Sequence, residues 1–327
     1  MFVGDAAFGV PFLNALRKKT FFFFSMAGCK RCCIYCDQDA ITGSPIPDIN
    51  EALKLAKSIS TPAELCFFGG SFTCLPEHVQ IQWLELVNSF PKGSLVRFST
   101  HPQCVTDRTI YIISKYPVSM VELGISSLDD NVLKTANRGY TCNEALNVIS
   151  LLLDKKFEVC AQMMIGLPGQ TLDSSLRDLS FLDMARRTRK MSLRIYPCLV
   201  LKNTPLEKLF NSKEFVPLEI EQAAEQAGEL IYNAQLRSYE ICRVGLQETE
   251  SLSRSVVAGP HHPALGEMAF SHALARKLYM DSKHGKWTIP RKYISQMTGH
   301  GKFGIKKLSS LSGLKIEEVI KRLKFEN

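Results

Sequence analysis

The chain has 327 residues, 45% of them apolar and 22% charged, which suffices for one large core or two modest ones and excludes an intrinsically disordered chain. No run of about eighteen apolar residues occurs that would cross a bilayer as a helix, so no membrane span is expected. Lysine and arginine number 40 against 32 acidic residues, and thirteen basic but four acidic residues lie in 271–327, so the net charge of +8 resides in that last segment and the rest sums to about −1.

Apolar runs of strand length recur along the first 200 residues: Phe21–Met26, Leu65–Phe68, Leu95–Ser99, Met120–Ile125, Glu158–Ile165 and Met191–Cys198. Arg17-Lys18-Lys19 before the first of them resembles the start of a signal peptide, but the apolar stretch is short and begins late, so it reads as a buried strand. Between the strands, Glu51–Ile59, Val79–Ser89, Arg108–Lys115, Asn143–Leu153 and Leu172–Arg186 carry apolar residues at helical spacing, and Thr141 with Glu144 forms a capping box. Six βα units imply a parallel sheet buried on both faces, which right-handed crossovers curl into a full or partial barrel. The expected fold class is therefore α/β, a partial (β/α)6 TIM-type barrel, with a doubly wound open sheet as the rival. Beyond residue 200 come a Pro-punctuated linker, a long helix from Leu218 to about Ser238, a strand at Ile241–Leu246, a loop over Val256–Leu265 and two short helices joined at Ser312-Gly313. The expected organisation is a barrel core over 1–200, a smaller α+β extension closing it over 201–270, and a basic helical tail over 271–327.

Eleven cysteines, an odd total without small-domain spacing, argue against a secreted disulfide scaffold. A reducing, cytoplasmic location is expected, with most thiols in the core and one group forming a site. That group is Gly28–Asp37, GCKRCCIYCD, directly after the first strand. Two metal readings compete: paired CxxC knuckles (Cys29/Cys32 and Cys33/Cys36), or a CxxxCxxC triad (Cys29, Cys33, Cys36) with Cys32 a bystander. A four-thiolate zinc site takes its knuckles from well separated segments, and the adjacency of Cys32 and Cys33 disfavours it. Three thiolates in a short loop suit a [4Fe–4S] cubane whose fourth iron has no protein ligand. Such an open iron chelates S-adenosylmethionine, and an electron passed into the sulfonium yields a 5′-deoxyadenosyl radical.

CxxxCxxC with Tyr35 before its last cysteine resembles the radical S-adenosylmethionine superfamily. More narrowly, FFGGSFT (67–73), STHPQ (99–103), VELGISSLDDNVL (121–133), NRGYT (137–141), IGLPGQT (165–171) and LRIYPCLVL (193–201) resemble the branch that contains the elongator catalytic subunit. GLQETE (245–250) and VVAGPHHPALGE (256–267) look like that branch's C-terminal extension. The likeness runs from about residue 20 to 270, with the motifs in the family's order.

The resemblance implies Cys29, Cys33 and Cys36 as cluster ligands and Tyr35 as the aromatic set against the adenine. It places the methionine end of the cofactor at Gly69 and Gly70, where absent side chains let backbone approach a ligand. Where many members continue with a carboxylate this chain has Ser71, so that contact falls to carbonyls or to hydroxyls such as Thr73. Ser126 and Arg138 match positions that hold the cofactor's ribose and carboxylate. Gln162 stands where a related branch, the oxygen-independent coproporphyrinogen oxidases, carries an acid for the ribose hydroxyls, and Gly166 with Gly169 lets the adenine edge lie on backbone. The family's TRPD is here Thr100-His101-Pro102-Gln103, losing an arginine and an acid. His101 has the titration range to shuttle a proton and equally fits a satisfied loop histidine. His261 and His262 fall in a family motif and are expected to face the substrate cavity, although adjacent side chains diverge and form no metal site.

The function so implied is reductive cleavage of S-adenosylmethionine at a [4Fe–4S] cluster, with a flavodoxin or ferredoxin as electron donor. The substrate is not encoded in these motifs. The basic tail favours RNA, a small molecule being the other class, and the acetyltransferase module of the elongator relatives is not expected in this chain. The rival reading is a non-catalytic Fe–S or zinc protein with a nucleic-acid-binding tail.

Overall fold

The computed structural model describes residues 17–29, 33–283 and 285–326. In chain order the elements are β1 (Lys18–Phe23), α1 (Gln38–Thr42), α2 (Ile49–Ser58), β2 (Ala63–Phe68), α3 (Glu77–Glu85), β3 (Leu95–Thr100), α4 (Asp107–Ile113), β4 (Val118–Ser126), α5 (Asp130–Thr135), α6 (Cys142–Asp154), β5 (Val159–Ile165), α7 (Leu172–Arg186) and β6 (Ser192–Pro197). The second part comprises β7 (Val200–Leu201), α8 (Pro205–Asn211), α9 (Ile220–Leu236), β8 (Glu240–Val244), α10 (Glu250–Ser255), β9 (Val256–Ala258), α11 (Leu265–Asp281), β10 (Trp287–Pro290), α12 (Ile294–Ser312), α13 (Ile316–Arg322) and β11 (Leu323–Glu326).

Seven strands form one all-parallel sheet in the order β1-β2-β3-β4-β5-β6-β8, curled into a half-barrel whose edges are β1 and β8. The six expected strands are all present. The seventh comes from the segment expected as an extension closing the barrel: α9 serves as one more crossover and returns β8 parallel to β6. The expected core boundary after residue 200 falls inside β7, and α11 runs across the boundary expected after residue 270.

Helix ends follow their capping chemistry. Thr106, Thr141 and Thr171 each cap a helix through a capping box, Thr141 with the Glu144 partner expected from the sequence. Between sheet and helices lies a continuous apolar layer that includes Phe22, Phe67, Phe98, Leu123, Ile149, Leu182 and Ile231, all 6% exposed or less.

The lumen side departs from the sequence reading. Continuous apolar strands buried on both faces were expected, yet the alternate positions that line the lumen carry Lys19, Arg97, Glu122, Gln162, Arg194 and Arg243. In a period of two the other face supplies the apolar core, so a single charge such as Arg97, Glu122 or Arg194 escapes notice in an apolar run.

The basic segment is part of the fold. α12 packs along α11, α11 along α9, and Trp287, Met297, Leu308 and Val319 are each 2% exposed or less. Trp287 Nε1 donates to the carbonyls of Leu278 and Ser282 at 3.1 and 2.8 Å, fastening the parallel pair β10–β11 to the end of α11. Among the described residues no helix is long and apolar enough to cross a membrane.

Candidate active site

Loops at the carboxyl ends of the strands converge over a cavity of about 440 Å³ that continues down the lumen. This is the end of a parallel barrel where sites are built. The loop after β1 brings Cys29, Cys33 and Cys36 to its rim. Cys36 N donates to Cys33 O at 3.0 Å, closing a tight turn between the two cysteines. Cys32 lies outside the described residues.

Chain approach sets this loop. Gly28 has φ +74°, and a Cβ there would stand 2.3 Å from Ser71 O. A Cβ on Gly70 would stand 2.3 Å from both Phe24 O and Ala27 O. The cysteine loop and the Gly69-Gly70 turn therefore pass each other at backbone contact, joined by Ser71 N donating to Ala27 O at 3.0 Å. The same contact explains why β1 ends at Phe23, short of the expected Met26: Met26 turns to φ 56° so that its N–H meets Gly69 O at 3.2 Å.

Behind the cysteines stands Arg138, 7% exposed. Its Nη1 donates to Cys33 Sγ at 2.9 Å and to Tyr35 OH at 3.4 Å, its Nε to Tyr140 OH at 3.3 Å, and its Nη2 to Gly124 O. Tyr35 OH bonds Ser126 Oγ at 2.7 Å. Burial foremost holds the Tyr35 phenol well above its ordinary range, so it stays a neutral hydroxyl. Burial, reinforced by the nearby Cys33 sulfur, pushes the Cys36 thiol up to about 12, and Gln38 Nε2 donates to Cys36 Sγ at 3.4 Å.

The nine residues expected to contact the cofactor divide in two. Tyr35, Gly69, Gly70, Ser71, Arg138 and Gln162 line the cavity. Thr73, Ser126 and Gly166 are not among the lining residues. Thr73 is buried with its hydroxyl on Thr100 Oγ1 at 2.6 Å, Ser126 is fully buried behind Tyr35, and Gly166 faces Leu218. Ser71 Oγ accepts from His101 N at 2.9 Å, and His101 Nε2 reaches Arg138 O at 3.1 Å, which ties His101 into the rim as a loop residue. His261 and His262, expected to face the cavity, do not line it: His261 Nε2 lies 2.9 Å from Glu248 Oε2, and His262 packs edge-on against His300.

Sequence reasoning missed two features. Cys74 and Cys104 form a disulfide, with Cα atoms 5.1 Å apart, where the thiols beyond the one site were expected to be mostly core residues. Adjacent strands β2 and β3 bring their following loops to the same height, so residues 30 apart in sequence meet at the rim. The second is the charged lumen floor, where Glu122 accepts from Arg97 and lies 3.0 Å from Arg194 Nε. Arg194 also stands over the Phe68 ring at 5.2 Å, and Cys66 and Cys242 complete the floor. Its only signal in the sequence is a lone charge inside three of the apolar runs, Arg97, Glu122 and Arg194.

The donor set fits an iron–sulfur cluster. Three sulfurs rise from one loop, two of them receive hydrogen bonds from Arg138 and Gln38, and the neighbouring glycine turn lets that loop pack on it at backbone contact. Among the described residues no three His, Cys, Asp or Glu side chains gather around a single-ion site.

Residues 24–182 match the Radical SAM superfamily model, and residues 191–276 match that of the Radical_SAM C-terminal domain. The chain belongs to the radical SAM superfamily, whose members use a [4Fe–4S] cluster and S-adenosylmethionine. Among its relatives it is similar to the tRNA uridine(34) acetyltransferase of Methanocaldococcus infernus, 26% identical over 46% of this chain and 28% of that protein. It is likewise similar to Elongator complex protein 3 of mouse, 25% identical over 51% of this chain and 34% of the relative. The matched part thus spans about a third of the length of these relatives. In fold it is similar to archaeal Elp3 of M. infernus (TM-score 0.59, 20% identity, 80% of this chain and 63% of that one). It is also similar to SuiB of Streptococcus suis (TM-score 0.51, 10% identity, 72% of this chain and 51% of that one).

Proposed function

We propose that this chain is a radical SAM enzyme that reductively cleaves S-adenosylmethionine and acts on an RNA nucleoside. The observation that carries the chemistry is the meeting of Cys29, Cys33 and Cys36 with the Gly69-Gly70 turn over the lumen cavity. Cys29, Cys33 and Cys36 would hold the cluster, which when bound supplies the electron that breaks the cofactor's C–S bond to give a 5′-deoxyadenosyl radical. Gly69 and Gly70 present backbone to the methionine end, and Gln162 offers its amide to the ribose hydroxyls. Arg138 fixes the Cys33 sulfur and the Tyr35 ring, so that ligand loop and adenine platform move as one body. A flavodoxin or ferredoxin of a reducing cytoplasm would deliver the electron.

RNA as substrate class draws on the relatives' names and on the exposed basic side chains Lys302, Lys306, Lys315, Lys321 and Lys324. Anaerobic reconstitution tests the chemistry. The expected result is about four irons per chain, a spectrum that shifts on adding S-adenosylmethionine, and release of 5′-deoxyadenosine under dithionite. One zinc per chain without 5′-deoxyadenosine would replace this reading with that of a structural metal protein. Mass spectrometry of tRNA and rRNA nucleosides from a gene deletion tests the substrate, and an unchanged nucleoside profile would move it to a small molecule.

A further inference from the structure

Two guanidiniums of the lumen floor, Arg97 and Arg194, share the carboxylate of Glu122, while the buried Glu64 is taken up by Ser119 Oγ at 2.7 Å. Arg97 and Arg194 face one carboxylate, Glu122, and both guanidiniums remain charged at any working pH. Arg97 is 4% exposed and its Nη2 has no hydrogen-bond partner. A buried guanidinium edge without an acceptor is costly, so an acceptor or anion placed beside it is stabilised. Cys242 of β8 is placed to be that anion. Leu193 pairs with Ile241 and Arg194 with Arg243, so Cys242 is the extra residue of a bulge on the edge strand, a device that re-aims a side chain. Its side chain is half-buried and lines the same cavity as Arg97 and Arg194.

We propose that Cys242 is a nucleophilic thiolate of the reaction cavity and a site of covalent attachment for electrophilic carbon. Its electron pair forms the S–C bond, and the leaving group departs with the pair of the bond that breaks. The surroundings favour this sulfur over its neighbours. The Cys160 hydrogen bond, with Arg97, Ser192 and Arg194, brings the Cys242 thiol down to about 6 against the opposing effect of burial. Burial drives Cys160 well above the ordinary thiol range and Cys66 up to about 12, so both remain protonated. Glu64 and Lys19 act on Cys66, Glu64 being held by Ser119 Oγ at 2.7 Å. Tyr196 takes the Arg194 Nη1 hydrogen at 3.0 Å and stays neutral, while Glu240 and Arg243 are the charged neighbours on β8 itself. α9 and α11 pack on β8 as well, Ile241 joining their apolar core.

The inference is independent of the radical reading and is tested without a substrate. The anaerobically reconstituted full chain is treated with limiting iodoacetamide from pH 5 to 9, iodide being the leaving group, and Cys242 occupancy is read by peptide mass spectrometry. The expected rate rises with a midpoint near pH 6 and at pH 7 exceeds that of Cys66 at least tenfold. Arg194→Gln is expected to move the midpoint up by about one unit or more, and Arg194→Lys, which keeps the charge, to restore it. A wild-type midpoint at 8 or above, no labelling at any pH, or a midpoint indifferent to Arg194→Gln in a variant of native melting temperature each overturns the proposal. 5′-Deoxyadenosine release, measured on the same preparation, reports separately on the proposed function.

Discussion

Arg138 Nη1 donates to Cys33 Sγ at 2.9 Å across 105 residues of chain, joining the turn after α5 to the cysteine loop after β1. The same guanidinium holds Tyr35 OH and the carbonyl of Gly124, so one buried cation positions a candidate ligand, the expected adenine platform and the end of β4. A lysine keeps the charge but not the planar fork that makes these contacts together. Arg138→Lys is therefore expected to lower 5′-deoxyadenosine formation about ten- to a hundredfold, the range that one or two hydrogen bonds to a charged group represent. Iron content should remain close to wild type, because Arg138 is no ligand. Steady-state release under dithionite with iron analysis checks both halves, and wild-type turnover in Arg138→Lys would show that the contact is not needed.

Cluster assembly separates the cysteines. Alanine at Cys29, Cys33 or Cys36 is expected to abolish iron retention after reconstitution, and Cys32→Ala to leave it intact. Iron analysis and the visible spectrum decide. Equal loss in Cys32→Ala would mean that the ligand set includes the neighbour of Cys33.

These two sites were legible in the sequence to different degrees. The cysteine spacing, the Gly69-Gly70 turn and the Thr141–Glu144 capping box depend on local chemistry, and they appear in the fold where the residues imply. Strand and helix identity through α7 followed for the same reason, since each apolar run is long enough to show its period. Short elements did not: α1 and α5 have 5 and 6 residues, less than two turns, and carry no readable period. Relationships between distant segments were hidden altogether. The Cys74–Cys104 pairing needs the adjacency of β2 and β3, the Arg97–Glu122–Arg194 cluster needs the curl of the sheet, and β8 entered it through a crossover that looked like the start of another unit.

Asp178 of α7 gives a pH signature. It is 1% exposed, accepts from Ser127 Oγ at 3.1 Å, and burial foremost raises its carboxyl to about 7. An unfolded aspartate titrates near 3.9, so between about pH 4 and 7 the folded chain binds more protons than the unfolded one and loses stability as pH rises. Above that window the ionised, buried carboxylate costs at most about 4 kcal/mol, from a shift of about three units at 1.4 kcal/mol each. Asp178→Asn removes the ionisation and keeps the shape. Denaturant titrations should find the variant more stable than wild type at pH 8 and the difference gone by about pH 4. A variant less stable at pH 8 would show that the carboxylate is stabilised in the fold.

RNA binding by the basic segment has to be tested without removing it, because Trp287, Met297, Leu308 and Val319 are buried against the rest of the fold and truncation would expose the α11 face. Lys302, Lys306, Lys321 and Lys324 are exposed, where substitutions typically change stability by less than about 0.5 kcal/mol. Reversing all four to glutamate should leave the melting temperature near wild type. It should weaken binding of a tRNA and flatten the dependence of log affinity on log salt by about 0.7–0.9 for each phosphate that the protein no longer neutralises. Filter binding or fluorescence anisotropy across a salt series reads both quantities. If affinity and slope stay as in wild type, the positive charge of this segment is a solvated face, and any RNA must reach the lumen between β1 and β8, where Lys19 and Arg243 line the cavity from the two sheet edges.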